Sequence, residues 1–256
     1  AYAGSRGLKL FGDLQYDVLA NEFLAQGDDL RRTVPNPMFG KLPSGAALNT
    51  ATVQRGQLLR PYAQFTGVTA GNSSYGASTY HSAQLKIERR FTSGFSLLAS
   101  YTFSKLLDDL MYATTTGFPG DNFSGGGYQD HYNRRNERAL ASFDMPHALT
   151  INSVWDMPLG RGRRYLKDQG ILTLLLGNWQ LNGIATFRGG VPIGLNTTSN
   201  TLNNYGGAQR PNWTGKDPDR GGDISNRLNQ YYDTTAFSLP APYTFGNLGR
   251  LLSGLR

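Results

Sequence analysis

Ser142, Asp144 and His147 supply the residue types of a serine-hydrolase triad within a short segment. Such a triad is defined by geometry, and its serine lies in a sharp strand-to-helix turn with the pattern Gly-x-Ser-x-Gly. Ser142 lacks both glycines of this pattern, and His147 begins a segment with the alternation of a strand. We therefore expect His147 to be a structural histidine and the chain to have no catalytic residues.

The segment from Asp217 to Asp223 contains three carboxylates at spacings that could suit Ca²⁺. Pro218 and Arg220 interrupt the order of an EF-hand loop, so a surface turn is the favoured interpretation, and calcium binding there stays open. The chain has three histidines, which are far apart in sequence, and no cysteine. We expect no metal site and no cofactor.

Phosphate and nucleic-acid binding are also poorly supported. Gly125-Gly126-Gly127 lacks the lysine and hydroxyl residue of a phosphate loop and is interpreted as a flexible loop tip. The net charge is +7, but the basic residues are scattered, and their densest cluster is Arg161, Arg163 and Arg164 in a Gly-rich turn. Because no basic stripe with interleaved aromatics is present, we expect no nucleic-acid partner.

The composition is typical of many strands joined by Gly-rich turns. The 256 residues include 32 Gly, 12% aromatic residues and only 17% charged residues, whereas soluble domains average about 25% charged. The longest apolar stretch, 171–176, falls far short of the ~20 residues of a membrane-spanning helix. The first residues lack the basic and apolar regions of a signal peptide.

Period-two alternation over about ten residues is the strongest structural signal, and this is the length of a tilted membrane-spanning strand. It predicts a hairpin of Ser82 to Phe91 and Phe95 to Lys105, closed by the three residues Thr92-Ser93-Gly94 with Gly94 in a left-handed conformation. It also predicts strands over His147 to Met157 and Trp179 to Arg188. Each has one polar face; Leu98 is a misfit on the polar side and Arg89 on the apolar side.

A fifth strand is predicted near the start of the chain. Its expected apolar face carries Leu8, Leu10, Leu14 and Tyr16, and its polar face carries Lys9, Asp13, Gln15 and Asp17, with Phe11 as an exception. Val18 to Arg32 has a weak helical pattern and is expected to form a short loop helix.

A soluble sandwich also alternates, but strand length, aromatics near strand ends and the alternation of short and long connections favour a membrane barrel. The 92–94 turn then faces the periplasm, and the regions of roughly 17–79, 106–146 and 190–240 lie outside the cell. The expected fold is therefore all-β: an antiparallel transmembrane β-barrel segment with long extracellular loops, in the bacterial outer membrane.

Seven segments along nearly the whole chain carry a family resemblance: residues 80–91, 100–105, 56–62, 143–147, 159–164, 177–181 and 245–247. In the order in which they occur along the chain, they resemble the barrel of TonB-dependent outer-membrane receptors. The closest group is the Oar-like branch with a carboxypeptidase-regulatory-like domain, as found in Acidobacteria.

This resemblance implies a barrel of about 22 strands that holds a plug and is driven by an inner-membrane energising complex. Residues 1–256 show about five strands, without a plug, an energy-coupling box or a barrel-closing strand, so we expect a partial barrel domain. The implied function is uptake of a scarce peptide, glycan or metal chelate. The alternative is a non-enzymatic β-rich adhesin or structural assembly subunit.

Two sets of residues are candidates for substrate contact. The first, on the polar faces, is expected to line the barrel lumen: Gln84, Lys86, Glu88, Arg90, Asn152, Gln180, Asn182 and Arg188. The second comprises loop aromatics, which could contact a ligand or pack the loop: Tyr112, Phe118, Phe123, Tyr128 and Tyr132. The expected partners are outer-membrane lipid, the remaining barrel and plug, and the energising complex.

Overall fold

The computed structural model describes residues 1–110, 128–165, 170–198, 202, 209–223, 225, 229–252 and 254, without the side chain of Leu172. The chain forms two compact units. The first comprises Ala1–Ser5, Tyr80–Leu106 and Asp144–Gly190, and the second comprises Arg6–Thr79, Leu107–Phe143 and Val191–Arg256. Each unit is described by itself below.

The main structure is a six-stranded sheet. Its strands are β1 (Tyr2–Gln15), β4 (Thr69–Thr92), β5 (Phe95–Asp108), β6 (Ala139–Leu140), β7 (His147–Asp156) and β8 (Gln180–Arg188). The order is β1-β4-β5-β7-β8, and β6 also pairs with β5. Pairing is antiparallel between β5 and β7 and between β7 and β8. Strands that follow one another along the chain therefore lie side by side, as in a meander.

The remaining elements are short. Two small antiparallel pairs are formed by β2 (Thr33–Pro35) with β3 (Thr52–Gln54) and by β9 (Asn212–Trp213) with β10 (Phe237–Ser238). The α-helices are α1 (Arg55–Leu58) and α2 (Ile171–Leu176), and 3₁₀ segments cover Asn21–Arg31, Arg134–Glu137 and Thr234–Ala236. None of the described helices is both long enough and apolar enough to cross a membrane.

All five predicted strands are present, and the 3₁₀ segment from Asn21 confirms the predicted loop helix. Strand β4 is much longer than predicted, because it begins at Thr69 rather than at Ser82. Residues 69–79 were expected to belong to a loop. They are rich in Gly, Ser and Asn, so they lack the apolar alternation that marks a strand with one face buried.

The turn between β4 and β5 has two residues instead of the predicted three. Ser93 and Gly94 both have positive φ angles, 53° and 80°, and the strands end at Thr92 and begin at Phe95. Positive φ at both central positions is the signature of a type I′ turn, whose twist matches that of the flanking strands. The predicted left-handed conformation of Gly94 is confirmed, and Ser93 shares it.

The predicted apolar face of β1 is interrupted by an irregularity at Lys9, so Leu8 and Leu10 do not share one side of the strand. This residue has a φ of 55° within an otherwise extended strand. A Cβ added at Gly7 would lie 3.0 Å from a methyl group of Leu10, so Leu10 lies on the side of Gly7 and not on that of Leu8. Leu8 and Phe11 are both exposed. A local extra residue of this kind shifts the alternation, which accounts for the anomaly predicted at Phe11.

The second unit has a small apolar core of its own. Leu19, Leu24, Leu30 and Leu202 are buried together, and Phe23, Leu59, Tyr243 and Phe245 pack against them. These residues come from connections that the sequence predicts as long loops. The connections are long and mostly irregular, but part of their length is packed rather than structureless.

Candidate functional site

One face of the sheet, here called the apolar face, is formed by matching rows of side chains on β5, β7 and β8. At the end of the hairpins next to the Ser93–Gly94 turn (the turn end), Phe95 pairs with Trp155, and Trp155 pairs with Leu181. At the opposite end (the far end), Tyr101 pairs with Leu149, which pairs with Phe187. Aromatic rings therefore occur in both rows, at either end of the face.

The rows between these aromatic rows carry smaller or aliphatic side chains. Ala99, Ile151 and Ala185 form one such row, and Leu97 lies in the other. On β4, the side chains of Leu85 and Ile87 are more than half exposed. Large apolar groups exposed over a continuous surface of this extent are unusual for a protein in water.

The other face, here called the polar face, bears the predicted lumen residues. Five of the eight, Lys86, Glu88, Arg90, Asn152 and Asn182, line one concavity of about 450 Å³. The other three, Gln84, Gln180 and Arg188, are exposed on the same two strands, β4 and β8. The structure therefore brings most of this predicted set together on one surface.

The charged groups of the polar face interact mainly with one another. Nζ of Lys86 lies 2.9 Å from Glu88 Oε2, and Nε of Arg90 lies 3.9 Å from Glu88 Oε1. All three side chains are exposed, so these pairs stabilise the fold very little, by about 0–1 kcal/mol each. Their head groups are instead available to water or to a bound molecule.

A second polar chain lies at the turn end of the same face. Gln180 donates a 2.7 Å hydrogen bond from Nε2 to Asp156 Oδ1, and Asn182 Nδ2 donates to Gln180 Oε1 at 3.4 Å. Arg163 approaches the other carboxylate oxygen of Asp156 at 3.5 Å. Asp156 therefore connects the polar face to the basic turn at 161–164.

The polar face also contains an apolar patch that the sequence analysis only partly anticipated. Leu98, predicted as a misfit, pairs with Asn152, and Asn152 pairs with Ile184. Val154 lies in the neighbouring row, and the side chain of Ile184 is 78% exposed. Ile184 lies two residues after Asn182 and therefore on the same face of β8, so the period-two spacing was the signal that could have indicated this position.

Two of the predicted loop aromatics, Tyr128 and Tyr132, lie within the described residues, and they differ in solvent exposure. Tyr128 is 1% exposed; its hydroxyl donates a hydrogen bond to the carbonyl of Asp109 and lies 3.2 Å from the Tyr75 hydroxyl. Burial raises the pKa of Tyr128 well above its usual value. This arrangement favours the packing alternative for Tyr128.

Tyr132 remains exposed, although its hydroxyl donates to the carbonyl of Val18 at 2.9 Å. The pKa of Tyr132 is raised, mainly because the phenol is partly buried and to a smaller extent by the negative charge of nearby Asp130. Tyr132 is therefore still accessible to a ligand. The candidates Tyr112, Phe118 and Phe123 lie outside the described residues.

Four charged residues of the second unit form a buried ion-pair cluster, defined here as Asp108, Glu137, Arg210 and Arg250. Arg210 Nη2 lies 2.8 Å from Glu137 Oε1. Arg250 Nη2 pairs with Asp108 Oδ1. Arg250 Nε also donates to the main-chain carbonyl of Glu137 at 3.1 Å, which joins the two pairs. All four side chains are almost completely inaccessible to solvent.

The cluster is tied to the backbone of several loops. The same Glu137 oxygen accepts hydrogen bonds from the amides of Gln129 and Asp130 at 3.1 and 3.3 Å. Gln129 in turn accepts from the amide of Arg210 and donates to the carbonyl of Gly246. Burial lowers the pKa of the Arg210 guanidinium, and the charge of Glu137 opposes this shift. The cluster therefore fixes the path of these connections.

The sequence analysis missed this cluster. Glu137 and Arg210 are 73 positions apart, and Arg250 and Asp108 are 142 apart. No periodic pattern connects such distant positions. Buried arginines with no local partner are not distinguishable in one sequence from solvated ones.

Of the three residues of the hydrolase-triad types, Asp144 and His147 make hydrogen bonds at the ends of strands. Asp144 Oδ1 accepts a 2.6 Å hydrogen bond from the amide of Leu106, and the carbonyl of Met145 accepts one from Ser104 Oγ at 2.8 Å. His147 Nδ1 is hydrogen-bonded to the Tyr101 hydroxyl at 2.8 Å. These contacts hold the start of β7 against β5, in keeping with a structural role for His147.

The acidic segment at 217–223 also uses its carboxylates locally. Asp217 Oδ1 accepts from the amide of Asp219, and Asp219 Oδ1 accepts from the amide of Gly221, both at 3.0 Å. Such bonds are typical of Asx turns. Within the described part of the chain, no three His, Asp or Glu side chains are grouped closely enough to hold a metal ion.

The sheet thus consists of strands with one apolar and one polar face, and β4 and β5 are joined by a two-residue turn. Both features are typical of transmembrane β-barrels. A family model described as "Outer membrane beta barrel domain" matches residues 1–255. The chain therefore belongs to the outer-membrane β-barrel family, and its location is the bacterial outer membrane. No curated protein and no solved structure matches it.

Proposed function

We propose that this chain is part of a TonB-dependent receptor that takes up a scarce peptide, glycan or metal chelate across the outer membrane. In this role the apolar face contacts lipid and the polar face lines the interior of the barrel. Energy comes from an inner-membrane complex acting through a plug. The protein transports its substrate and does not change it chemically.

The observation that carries this proposal is the contrast between the two faces of one sheet. Charged and amide side chains line the concavity on the polar face together with Leu98, Val154 and Ile184, whereas rows of aliphatic and aromatic side chains cover the apolar face. In transmembrane barrels, lipid-facing and interior residues alternate in this way, and the interior residues tune selectivity. An interior of this mixed polarity suits a substrate that has both polar and apolar groups.

The apolar patch around Leu98, Val154 and Ile184 supports an occupied interior rather than a wide aqueous pore. In an open channel these side chains would be in contact with water. A plug or a substrate with an apolar surface would cover them and remove that contact. The resemblance to TonB-dependent receptors supports the plug and the energised mechanism.

The experiment compares isogenic cells that have or lack the full-length protein, each with and without the inner-membrane energising complex. The cells are given a mixture of peptides, glycans and metal chelates, and depletion of each compound is measured by mass spectrometry. We expect at least one compound to be depleted only when both the protein and the complex are present.

Depletion that does not require the energising complex would contradict the energised mechanism and indicate a passive pore. No depletion, together with cell adhesion that depends on the protein, would favour the adhesin or assembly role. An Asn182→Arg variant fills part of the concavity, and Thr186→Arg places the same charge on the same face, outside the residues that line it. We expect the first change to slow uptake more than the second.

A further inference from the structure

The short helix α2, in the connection between β7 and β8, exposes an apolar surface. Ile171, Leu174 and Leu175 are spaced so that they share one side of the helix, and their side chains are 77%, 84% and 60% exposed. A six-residue helix is too short to be stable alone in water. Its position must therefore be maintained by surrounding contacts.

Those contacts hold the C-terminal end of α2 against the end of the sheet. The amide of Asn178 donates to the carbonyl of Leu159 at 3.0 Å. Gly160 and Gly177 are in close backbone contact: a Cβ at Gly160 would lie only 2.9 Å from Cα of Gly177. Side chains at these two positions would push the helix away from the 157–165 segment.

Trp179 shows on which side of the sheet this end of the helix lies. The amide of Met157 donates to the carbonyl of Trp179 at 2.9 Å, which continues the β7–β8 ladder by one pair. Trp179 therefore follows Leu181 on the apolar face. Its indole Nε1 donates to the carbonyl of Leu175 at 2.8 Å, so the last turn of α2 lies beside the apolar face at the turn end.

A basic cluster lies in the same connection. The side chains of Arg161, Arg163 and Arg164 are all exposed. Arg163 approaches Asp156 at 3.5 Å, whereas within the described residues Arg161 and Arg164 form no ion pair; the guanidinium of Arg164 lies over the Tyr165 ring, 5.4 Å from its centroid. Exposed apolar side chains and exposed arginines in one connection are the composition of segments that lie in an anionic membrane interface.

We propose that α2 is an interfacial anchor, which inserts Ile171, Leu174 and Leu175 at the boundary of the acyl chains in the leaflet at the turn end. Arg161 and Arg164 bind the headgroups of anionic phospholipids in that leaflet. The anchor extends the lipid contact of the apolar face beyond the last strand pair. The anchor proposal rests on the lipid contact proposed above for the apolar face, and the test distinguishes failure of the anchor from failure of that lipid contact.

The test uses single cysteines labelled with the fluorophore bimane in the full-length protein, reconstituted in vesicles of phosphatidylcholine with phosphatidylglycerol. Leu174→Cys reports on α2, Ala99→Cys on the apolar face, and Ser93→Cys on the exposed turn at the same end. Leu174 is so exposed that its replacement removes no packed contact. Quenching is measured with lipids brominated on their acyl chains and, separately, with aqueous iodide.

We expect brominated lipid to quench the probes at 174 and 99, and iodide to quench the probe at 93. Brominated phosphatidylglycerol should quench at 174 more strongly than brominated phosphatidylcholine. Arg161→Gln and Arg164→Gln should reduce this preference by about fivefold for each arginine removed, the effect of one basic residue near an anionic surface. The preference at Ala99→Cys should not change.

Iodide quenching at 174 equal to that at 93, with lipid quenching retained at 99, would overturn the anchor and leave the membrane placement intact. Protection at 174 from both quenchers would also overturn it, because protein would then cover the helix: a second copy or another part of the same chain. Iodide quenching at 99 would contradict the membrane placement itself.

Discussion

Phe95 lies directly opposite Trp155 in the ladder of β5 and β7, at the turn end of the apolar face. Further along β5, the hydroxyl of Tyr101 is hydrogen-bonded to His147 at 2.8 Å. The distance along the strand from Phe95 to Tyr101 is about 20 Å. Because transmembrane strands are tilted by about 40°, this separation corresponds to roughly 15 Å of membrane depth, which fits inside the ~25 Å apolar band of a transmembrane barrel.

Leu97 lies within this band, so a charge introduced there would enter lipid. We expect Leu97→Arg to reduce the free energy of unfolding by about 2–4 kcal/mol, the cost of a basic residue near the bilayer midplane on a lipid-facing strand position. The measurement is reversible denaturant unfolding of the full-length protein in lipid vesicles.

The matched control is Ser100→Arg, on the same strand but on the polar face, where Ser100 pairs with Thr150. We expect this variant to lose much less stability, because the arginine head group can reach water or the polar interior. Equal losses for the two variants would contradict the proposed assignment of the faces to lipid and interior.

The buried pair of Glu137 and Arg210 leads to a second prediction. Glu137→Gln removes the negative charge and leaves Arg210 buried without its counter-ion. Loss of one partner of a buried pair typically costs ~3–5 kcal/mol. We expect a loss of this size in the free energy of unfolding of the second unit, followed by circular dichroism or hydrogen exchange.

Glu88→Gln provides the control, since it changes the same side chain in an exposed pair, and its expected cost is below about 1 kcal/mol. The double variant Glu137→Gln with Arg210→Met should recover much of the lost stability, because neither buried charge remains and the glutamine oxygen can still accept from the amides of Gln129 and Asp130. A Glu137→Gln cost as small as that of Glu88→Gln would show that the pair does not hold these loops in place.

Tyr128 should make the stability of the second unit sensitive to alkali. Burial raises its pKa in the folded protein, so folding favours the neutral phenol. The contribution of this neutral phenol to the free energy of unfolding is complete below the pKa of tyrosine in the unfolded chain, about 10, and is lost progressively at higher pH. We expect the wild-type protein to lose stability above this pH more steeply than Tyr128→Phe does.

At neutral pH we expect Tyr128→Phe to be less stable than the wild-type protein, because it lacks the hydroxyl that contacts Asp109 and Tyr75. Tyr165→Phe, which removes an exposed phenol, controls for the loss of a tyrosine as such. Parallel stability–pH curves for wild type and Tyr128→Phe would contradict the buried, neutral phenol.

The sheet was predictable because, within each strand segment, the alternation of apolar and polar residues indicates which side chains share a face. Between Ser82 and Lys105, apolar and polar residues alternate almost without exception, and the structure places both strands there. The alternation failed where its physical cause is absent or interrupted. Residues 69–79 extend β4 without an apolar face, and the positive φ of Lys9 shifts the phase of β1.

The candidate site was predictable to a similar extent. The polar series around Lys86 and Asn182 follows from the same alternation, and the structure brings it to one concavity. The burial of Tyr128 and the pairing of Glu137 with Arg210 depend on contacts between segments far apart in sequence. Such contacts leave no periodic signal, so they could not be predicted from one sequence.

The central claim is that the β4–β5 hairpin crosses the outer membrane with its turn in the periplasm. Ser93 lies in the turn, Ser74 lies near the other end of β4, and both are exposed. The chain has no cysteine, so Ser93→Cys and Ser74→Cys each introduce a single thiol into it. Intact cells that produce the full-length protein are treated with a membrane-impermeant thiol reagent. We expect labelling at 74 on intact cells and labelling at 93 only after the outer membrane is permeabilised. Labelling of both positions on intact cells, or of 93 alone, would contradict this topology.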